Sequence, residues 1–450
     1  MSTSRTSFLP LLVCTLSAVL VLSTGCEPDR PPPGGGGGGP LPPGGNPNGN
    51  GDGGTSDGGV LVIRSDGSNF PAKPSCASGA SCAGPCPDGG VICAGNNCGF
   101  LAPVTLPFAG DPKDIALGDV DEDGDDDLVT ANNDGKSVAV LLNRGNGVFQ
   151  TPSLWTAGKE PTALALEDLN GDGSLDLLVA NSGDSSVGVY RGKGNGDFLA
   201  PVTVGALGLN LNDLVVGRFN GTARSVALLR GSEQVVSVFP VKSDGTLQTP
   251  ADYAASPGAY ALVAEDFNGD GRLDLALTHE TACGTSSSTP CQSVGVLLGK
   301  ADGMFQQQIL TSTGGTPRGL VAAKLDTDTV TDLLVADASR NQVLMLRGQS
   351  NGRFYDPVAY PVVKAPSRLV LADINRDTLP DVLVTSATGN QVGLLLGQSG
   401  GTFSPQVPLT AWPQDVGLQG LLVSDFDADN VRDLAVLTRN GIQLLWGICR

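Results

Sequence analysis

Histidine occurs once among the 450 residues and methionine three times. Such scarcity argues against a His-rich transition-metal centre. No G-x-S-x-G, paired-His motif or phosphate-cradling loop is present, so no known catalytic constellation is legible. Basic residues are in deficit: 27 Lys and Arg against 46 Asp and Glu give a formal net charge of −19. A surface of that sign repels nucleic acid and anionic membranes, and no nucleic-acid partner is expected. Aromatics are few, at 5%, whereas glycine is abundant, at 63 residues. That balance suits short strands joined by many tight turns.

The one long apolar run is at the N-terminus, from Phe8 to Leu22, with Arg5 the only charge before it. It is too short for a comfortable membrane span, and Ser23-Thr24-Gly25-Cys26 follows it like a cleavage site. The pattern resembles a bacterial lipoprotein signal covering residues 1–25. That resemblance implies Cys26 as the acylated first residue of the mature chain and anchorage in the cell envelope, at the outer membrane. Contact with the membrane is then expected through the lipid alone. The alternative is an ordinary secretory signal with an incidental cysteine.

Residues 26–60 follow as a tether; positions 31–60 hold fourteen Gly and seven Pro. Such a segment buries no core and is expected to be disordered, with the roughly 35–45 Å reach of a flexible coil between Cys26 and Cys76. Residues 61–98 form a small Cys-rich segment with Cys76, Cys82, Cys86, Cys93 and Cys98. A zinc site is a poor reading there, because no His and no paired C-x-x-C occur. Without Cys14 and Cys26 eight cysteines remain, an even number that suits four disulfides in an oxidising compartment.

From residue 99 an acidic nonamer recurs seven times. Its first position falls at Asp119, Asp168, Arg218, Asp266, Lys324, Asp373 and Asp425, with gaps of 49, 50, 48, 58, 49 and 52. Each nonamer lies between short apolar runs, such as Ile115-Ala-Leu117 and Leu128-Val129, and a third run leads to a Gly-rich turn and Phe149. About four short antiparallel strands per repeat are implied. Seven such repeats make an all-β fold, a seven-bladed β-propeller of four-stranded antiparallel blades over residues 99–450. Phe recurs thirty residues after position 1 at Phe149, Phe198, Phe354 and Phe403, and later, at Phe305, in the longer fourth repeat. The seventh repeat ends before its own Phe. Phe100-Leu-Ala-Pro-Val-Thr matches Phe198-Leu-Ala-Pro-Val-Thr, so the N-terminal strand is expected to complete the last blade and close the ring, leaving no long open edge.

These motifs, "DxNGDGxxDLL" and "GxGxF" in tandem, are similar to those of the FG-GAP or VCBS repeat family. That family is found in the integrin α-chain propeller, some lectins and many bacterial surface proteins. The resemblance implies a binding or adhesion module whose ligand face is the end opposite the acidic loops. Here that end would hold Gly110-Asp-Pro-Lys113, Gly158-Lys-Glu-Pro161 and the long 278–292 insertion.

The nonamers themselves read as calcium loops: oxygen ligands at positions 1, 3, 5 and 9, a backbone carbonyl at 7, and Gly at 6 to turn the chain. The candidate sets are Asp119, Asp121, Asp123, Asp125 and Asp127 in blade one, and Asp168, Asn170, Asp172, Ser174 and Asp176 in blade two. Blade four offers Asp266, Asn268, Asp270, Arg272 and Asp274. Blade six offers Asp373, Asn375, Asp377, Leu379 and Asp381, and blade seven Asp425, Asp427, Asp429, Val431 and Asp433. Three to five Ca2+ ions are expected, bound most tightly in blades one, two and four. Blade seven has Asn430 at position 6, and blade six has β-branched Thr378, which should strain the turn. Blade five carries Lys324 and Thr329, so metal is doubtful. Blade three, with Arg218, Asn220, Thr222 and a deletion, is expected to be metal-free. An EF-hand would need Glu at position 12 and flanking helices, and position 12 is Thr130, Val179 and Leu277. Solvated acidic turns without metal are the bland alternative.

Cys283 and Cys291 bracket the insertion of blade four and are expected to pair. Alignment of both chain ends on blade six brings Cys98 opposite Cys449, so a disulfide is expected to lock the ring. Trp155, Tyr253, Tyr360 and Trp412 share a register thirteen residues before position 1; packing between blades is the favoured reading, sugar stacking the other. His279 is placed in the loop after the second strand of blade four. The functional expectation is a monomeric, calcium-stabilised, lipid-anchored envelope module for a carbohydrate or protein ligand. A structural envelope component and a polysaccharide-active enzyme are the alternatives.

Overall fold

The computed structural model describes residues 91–94, 98–107, 110–221, 223–280, 292–411 and 417–449. The expected signal and tether, Cys26, most of the Cys-rich segment, the Cys283–Cys291 insertion and Trp412 lie outside the described residues. Seven four-stranded antiparallel sheets are present. Blade one is Pro112–Gly118, Asp127–Asn132, Ser137–Leu141 and Ser153–Thr156, and the blade repeats around the ring. The first strands of successive blades contact one another in a closed cycle, with the first strand of blade seven (Leu418–Ser424) meeting that of blade one. The first strand of every blade is therefore the innermost.

Sequence pattern follows from this packing. Second and third strands are covered by neighbouring blades on both faces and are buried from end to end in Asp127–Asn132 and Ser137–Leu141. The outer strand Ser153–Thr156 is mostly exposed. The core lies between blades rather than within them. Ala116, Val129 and Val140 of blade one pack on Leu164, Leu177, Val179 and Phe198 of blade two. Truncating Phe198 to Ala there would cost about 3–5 kcal/mol.

Both chain ends build blade seven. Val104–Pro107 pairs antiparallel with Gly441–Leu445 as the fourth strand. Phe100 pairs with Gly447, the same bridge that joins Gly192 to Phe198, Gly299 to Phe305 and Gly348 to Phe354 in intact blades. Closure by the N-terminal strand is thus as the repeat register requires. A short strand, Val91–Ala94, extends this junction by pairing with Cys98–Phe100. The backbone register sets Cys98 directly opposite Cys449. Leu101 N donates to Trp446 O at 2.8 Å. Antiparallel pairs alternate in hydrogen bonding, so Cys98 and Cys449 occupy a non-hydrogen-bonded pair, where Cα atoms approach to about 4.5 Å.

The shared aromatic register is a packing device. Trp155, Tyr253 and Tyr360 each meet the Phe of the next blade edge to face, Phe198 at 5.7 Å, Phe305 at 5.2 Å and Phe403 at 5.4 Å. His279 corrects the sequence reading. It is the last residue of the second strand of blade four, paired with Ala259 and Ser293, not a loop residue. The insertion that follows hid the strand end from the periodicity.

Candidate functional sites at the two ends of the ring

In each blade the nonamer joins the first and second strands, so all nonamers lie at one end of the ring. Five of them share one backbone form. Position 6 is left-handed at Gly124 (φ 95), Gly173 (98), Gly271 (80), Thr378 (70) and Asn430 (63). Position 4 is left-handed as well, at Glu122, Gly171, Gly269, Arg376 and Ala428. The position-4 turn was not legible in sequence, because three of the five residues there are neither Gly nor Asn. Thr378 adopts the conformation despite its branched side chain, a local strain of the expected kind. In blade five, Thr327 and Thr329 do not turn left-handed, so that loop lacks the common form.

Within the five loops the position-1 carboxylate collects backbone N–H groups. Asp119 accepts from Asp123 N (3.1 Å) and Gly124 N (3.0 Å), Asp266 from Gly271 N (2.7 Å), and Asp425 from Asn430 N (2.7 Å). The position-5 carboxylate accepts from the N–H of position 7, at 3.0 Å for Asp123, Asp172 and Asp270. The position-9 aspartate does more than the ligand pattern implied. Asp127 accepts from Val120 N and Asn143 N (2.9 and 2.7 Å). Asp176, Asp274, Asp332 and Asp381 repeat the pair of bonds. Position 9 staples the loop to the turn after the third strand, even in blade five.

The donor set fits a dication. Carboxylate oxygens of Asp119, Asp121 and Asp127 lie within 4.8 Å of one another, as do those of Asp425, Asp427 and Asp429. Asp121 Oδ1 is buried with no hydrogen-bond partner. Burial, and then the neighbouring Asp123 and Asp119, push the Asp121 carboxyl above its usual range. Burial likewise pushes Asp127, Asp274 and Asp381 up to about 7, against the opposing backbone N–H bonds. All-oxygen clusters of this kind suit calcium. The residues that would hold it are those at positions 1, 3, 5 and 9 with the carbonyl of 7. In blades two, four and six, Asn170, Asn268 and Asn375 take position 3.

The sets also differ in ways the sequence hid. Arg224 of blade three pairs with Glu167 (2.6 Å) and lies 3.7 Å from Asp168, the position-1 residue of loop two. The Gly173 N–H to Asp168 bond there is 3.3 Å, longer than its counterparts in loops one, four and seven. Arg272 pairs with Asp270 at 2.8 Å. Where blade three lost its acidic nonamer, a protein-borne cation faces the preceding blade.

The opposite end holds the loops between second and third strands and between blades. There the third residue of the inner strand is Asp114, Ala163, Asp213, Ala261, Gly319, Arg368 and Gly420 around the ring. Asp114 Oδ2 accepts from Leu164 N at 2.9 Å and Asp213 Oδ2 from Leu262 N at 2.8 Å, each reaching the inner strand of the next blade. Those N–H groups lie on the sheet edge that faces the axis, and the carboxylates satisfy them. Arg368 Nε faces Gln419 O at 3.4 Å, and Arg368 lies 4.0 Å from Asp114, beyond blade seven. Burial pushes the Asp114 carboxyl up to about 7, although Arg368 opposes it. For Arg368 burial works against the charge, but Tyr260, Asp114 and Asp213 outweigh it and the net shift is upward. The only sequence signal for this cluster is a charge five residues before position 1 of the nonamer.

The architecture and the loops define a seven-bladed β-propeller with acidic turns at one end. Residues 119–179, 168–225 and 324–384 each match the FG-GAP-like repeat. No curated protein matches it in sequence. Among solved structures, BBS1N in complex with ARL6DN aligns with a TM-score of 0.54 at 12% identity, covering 78% of this chain and 97% of that one. An Agrocybe aegerita lectin specific for non-reducing terminal N-acetylglucosamine aligns at 0.50 and 17%, covering 75% of this chain and 87% of the lectin. At these identities the likeness is one of fold.

Proposed function

We propose that the chain is a calcium-stabilised binding module of the bacterial cell envelope, lipid-anchored through Cys26, that recognises a carbohydrate or protein ligand with the end of the ring opposite the acidic loops. The observation that carries this reading is the division of labour between the ends. One end concentrates backbone-turning acidic loops, whereas the other gathers polar and charged side chains at the axis, Asp114, Asp213 and Arg368 among them. The module is read as a binding protein rather than an enzyme, with the ring as a rigid frame for contact residues. Glycans are the first ligand class to test, since the lectin neighbour is described as recognising terminal N-acetylglucosamine and shares the ring. A protein ligand is the second reading, since the other neighbour was crystallised with ARL6DN. A glycan array probed with and without calcium tests the reading. Calcium-dependent retention of a defined glycan supports it, and absence of any glycan or envelope-protein ligand overturns it in favour of a purely structural component.

A further inference from the structure

Loop two carries a complete set of oxygen donors, yet a cation of the protein already stands beside it. Arg224 is the residue before the second strand of blade three, Ser225–Arg230. Its Nε donates to Glu167 Oε1 at 2.6 Å, and its Nη2 lies 3.7 Å from Oδ2 of Asp168, the position-1 carboxylate of loop two. The guanidinium is held in place: its side chain is 19% exposed and that of Glu167 9%. The neighbouring boundaries are built differently. There the residue before the second strand is leucine and the last residue of the preceding blade's first strand is glycine, Leu175 on Gly118 and Leu273 on Gly217. Between blades two and three this apolar pair is replaced by an ionic one that reaches a nonamer ligand.

The contacted oxygen differs from its counterparts. The N–H of position 6 reaches the position-1 carboxylate at 2.7–3.0 Å in loops one, four, six and seven, but Gly173 N stands 3.3 Å from Asp168 Oδ2. Affinity in all-oxygen loops follows the negative charge they present. A guanidinium only donates and does not lose its proton, so Arg224 can neither ligate a metal nor become neutral to admit one. A dication in loop two therefore binds beside a fixed positive charge and shares Asp168 with it. Arg272 is not equivalent, because it pairs with Asp270 from within loop four and is 40% exposed, free to turn into solvent.

We propose that Arg224 is a resident counter-charge that sets the metal affinity of loop two, holding it below what the loop's own donors would give. The proposal rests on the reading of the nonamers as calcium loops. It adds a residue from outside loop two, on the blade that lost its own acidic nonamer, as the one that decides how readily loop two fills.

The test is calorimetric titration of the chelated full chain with calcium alone, each variant first checked for a cooperative thermal melt. Asp168→Asn identifies the loop-two step as the one it removes. Arg224→Gln tightens that step by about tenfold, the scale of one nearby charge removed, and leaves the other steps in place. Arg224→Lys keeps the charge and leaves the step near its wild-type value. Because Arg224→Gln strands a buried Glu167, Glu167→Gly combined with Arg224→Leu serves if it fails to fold: the double change rebuilds the pair found at the two neighbouring boundaries, and it too tightens the step. A loop-two step unmoved in the folded variants, or a lysine variant that tightens as the glutamine does, overturns the role of Arg224 and leaves the loops as metal sites. A wild type that takes up no calcium overturns the calcium reading itself, and the proposal with it.

Discussion

His279 offers a sharp test of the packing, because it is the only histidine in the chain and its resonance needs no assignment. Its ring is fully buried. Nε2 accepts from Ser256 N at 3.1 Å and faces Gln308 Nε2 at 3.1 Å, so it must be the unprotonated nitrogen. A proton there would point at two donors. Burial pulls the imidazole down to about 4 from an ordinary 6.5. The folded form thus binds fewer protons than the unfolded chain between those values, and stability falls as pH drops through that window. Full protonation of the unfolded imidazole costs the fold about 3 kcal/mol by pH 4, of which about 2 kcal/mol is lost by pH 5. The imidazole Cε1–H shift, followed by NMR from pH 8 to 4, should stay flat until near pH 4. Denaturation of wild type and His279→Gln at pH 7 and pH 5 should show the extra acid loss in the wild type alone. A resonance that titrates near pH 6.5 would refute the buried, neutral assignment.

Three further outcomes are expected. Calorimetric titration of the chelated ring with calcium should show at least three sites, Asp123→Ala should remove one, and magnesium should substitute poorly; no calcium-dependent heat or thermal shift would count against the loops as metal sites. Asp332→Asn should destabilise the protein by about 2–4 kcal/mol in urea with or without calcium, since Asn has one acceptor oxygen for the two N–H groups now bound; a change below about 0.5 kcal/mol would deny position 9 its staple role. Cys449→Ser should lower the melting temperature under oxidising conditions and expose the 99–110 strand to protease. A disulfide enclosing about 350 residues has a chain-entropy value on the order of 5 kcal/mol, and a melt identical to wild type would leave the ring held by strand pairing alone.

How much of this was legible in sequence depended on whether a feature repeats. Phe100 could be assigned to blade seven because four other repeats set its spacing, and the left-handed turn at position 6 because Gly marks it in three loops. Position 4 carries Glu122, Arg376 and Ala428 in the same left-handed form, and nothing in those residue types announces it. Arg224 reached Asp168 only because blades two and three are neighbours in space. Asp114 and Arg368 lie 254 positions apart, and their meeting at the axis is a property of the closed ring rather than of any window of sequence. His279 was misplaced by the break in periodicity at the insertion.

Closure by the N-terminal strand also sets a load path. Residues 98–107 enter blade seven at the acidic end and run toward the opposite end, bonded to Gly447–Cys449 and then to Gly441–Leu445. A pull on the N-terminus loads Val91–Ala94, paired antiparallel with Cys98–Phe100, and through it this strand. The hydrogen bonds of the junction are then strained together in shear instead of parting one by one. The seam that completes the ring is therefore the part that force must break to open it, and a Cys98–Cys449 bond would cross-link its acidic-end register.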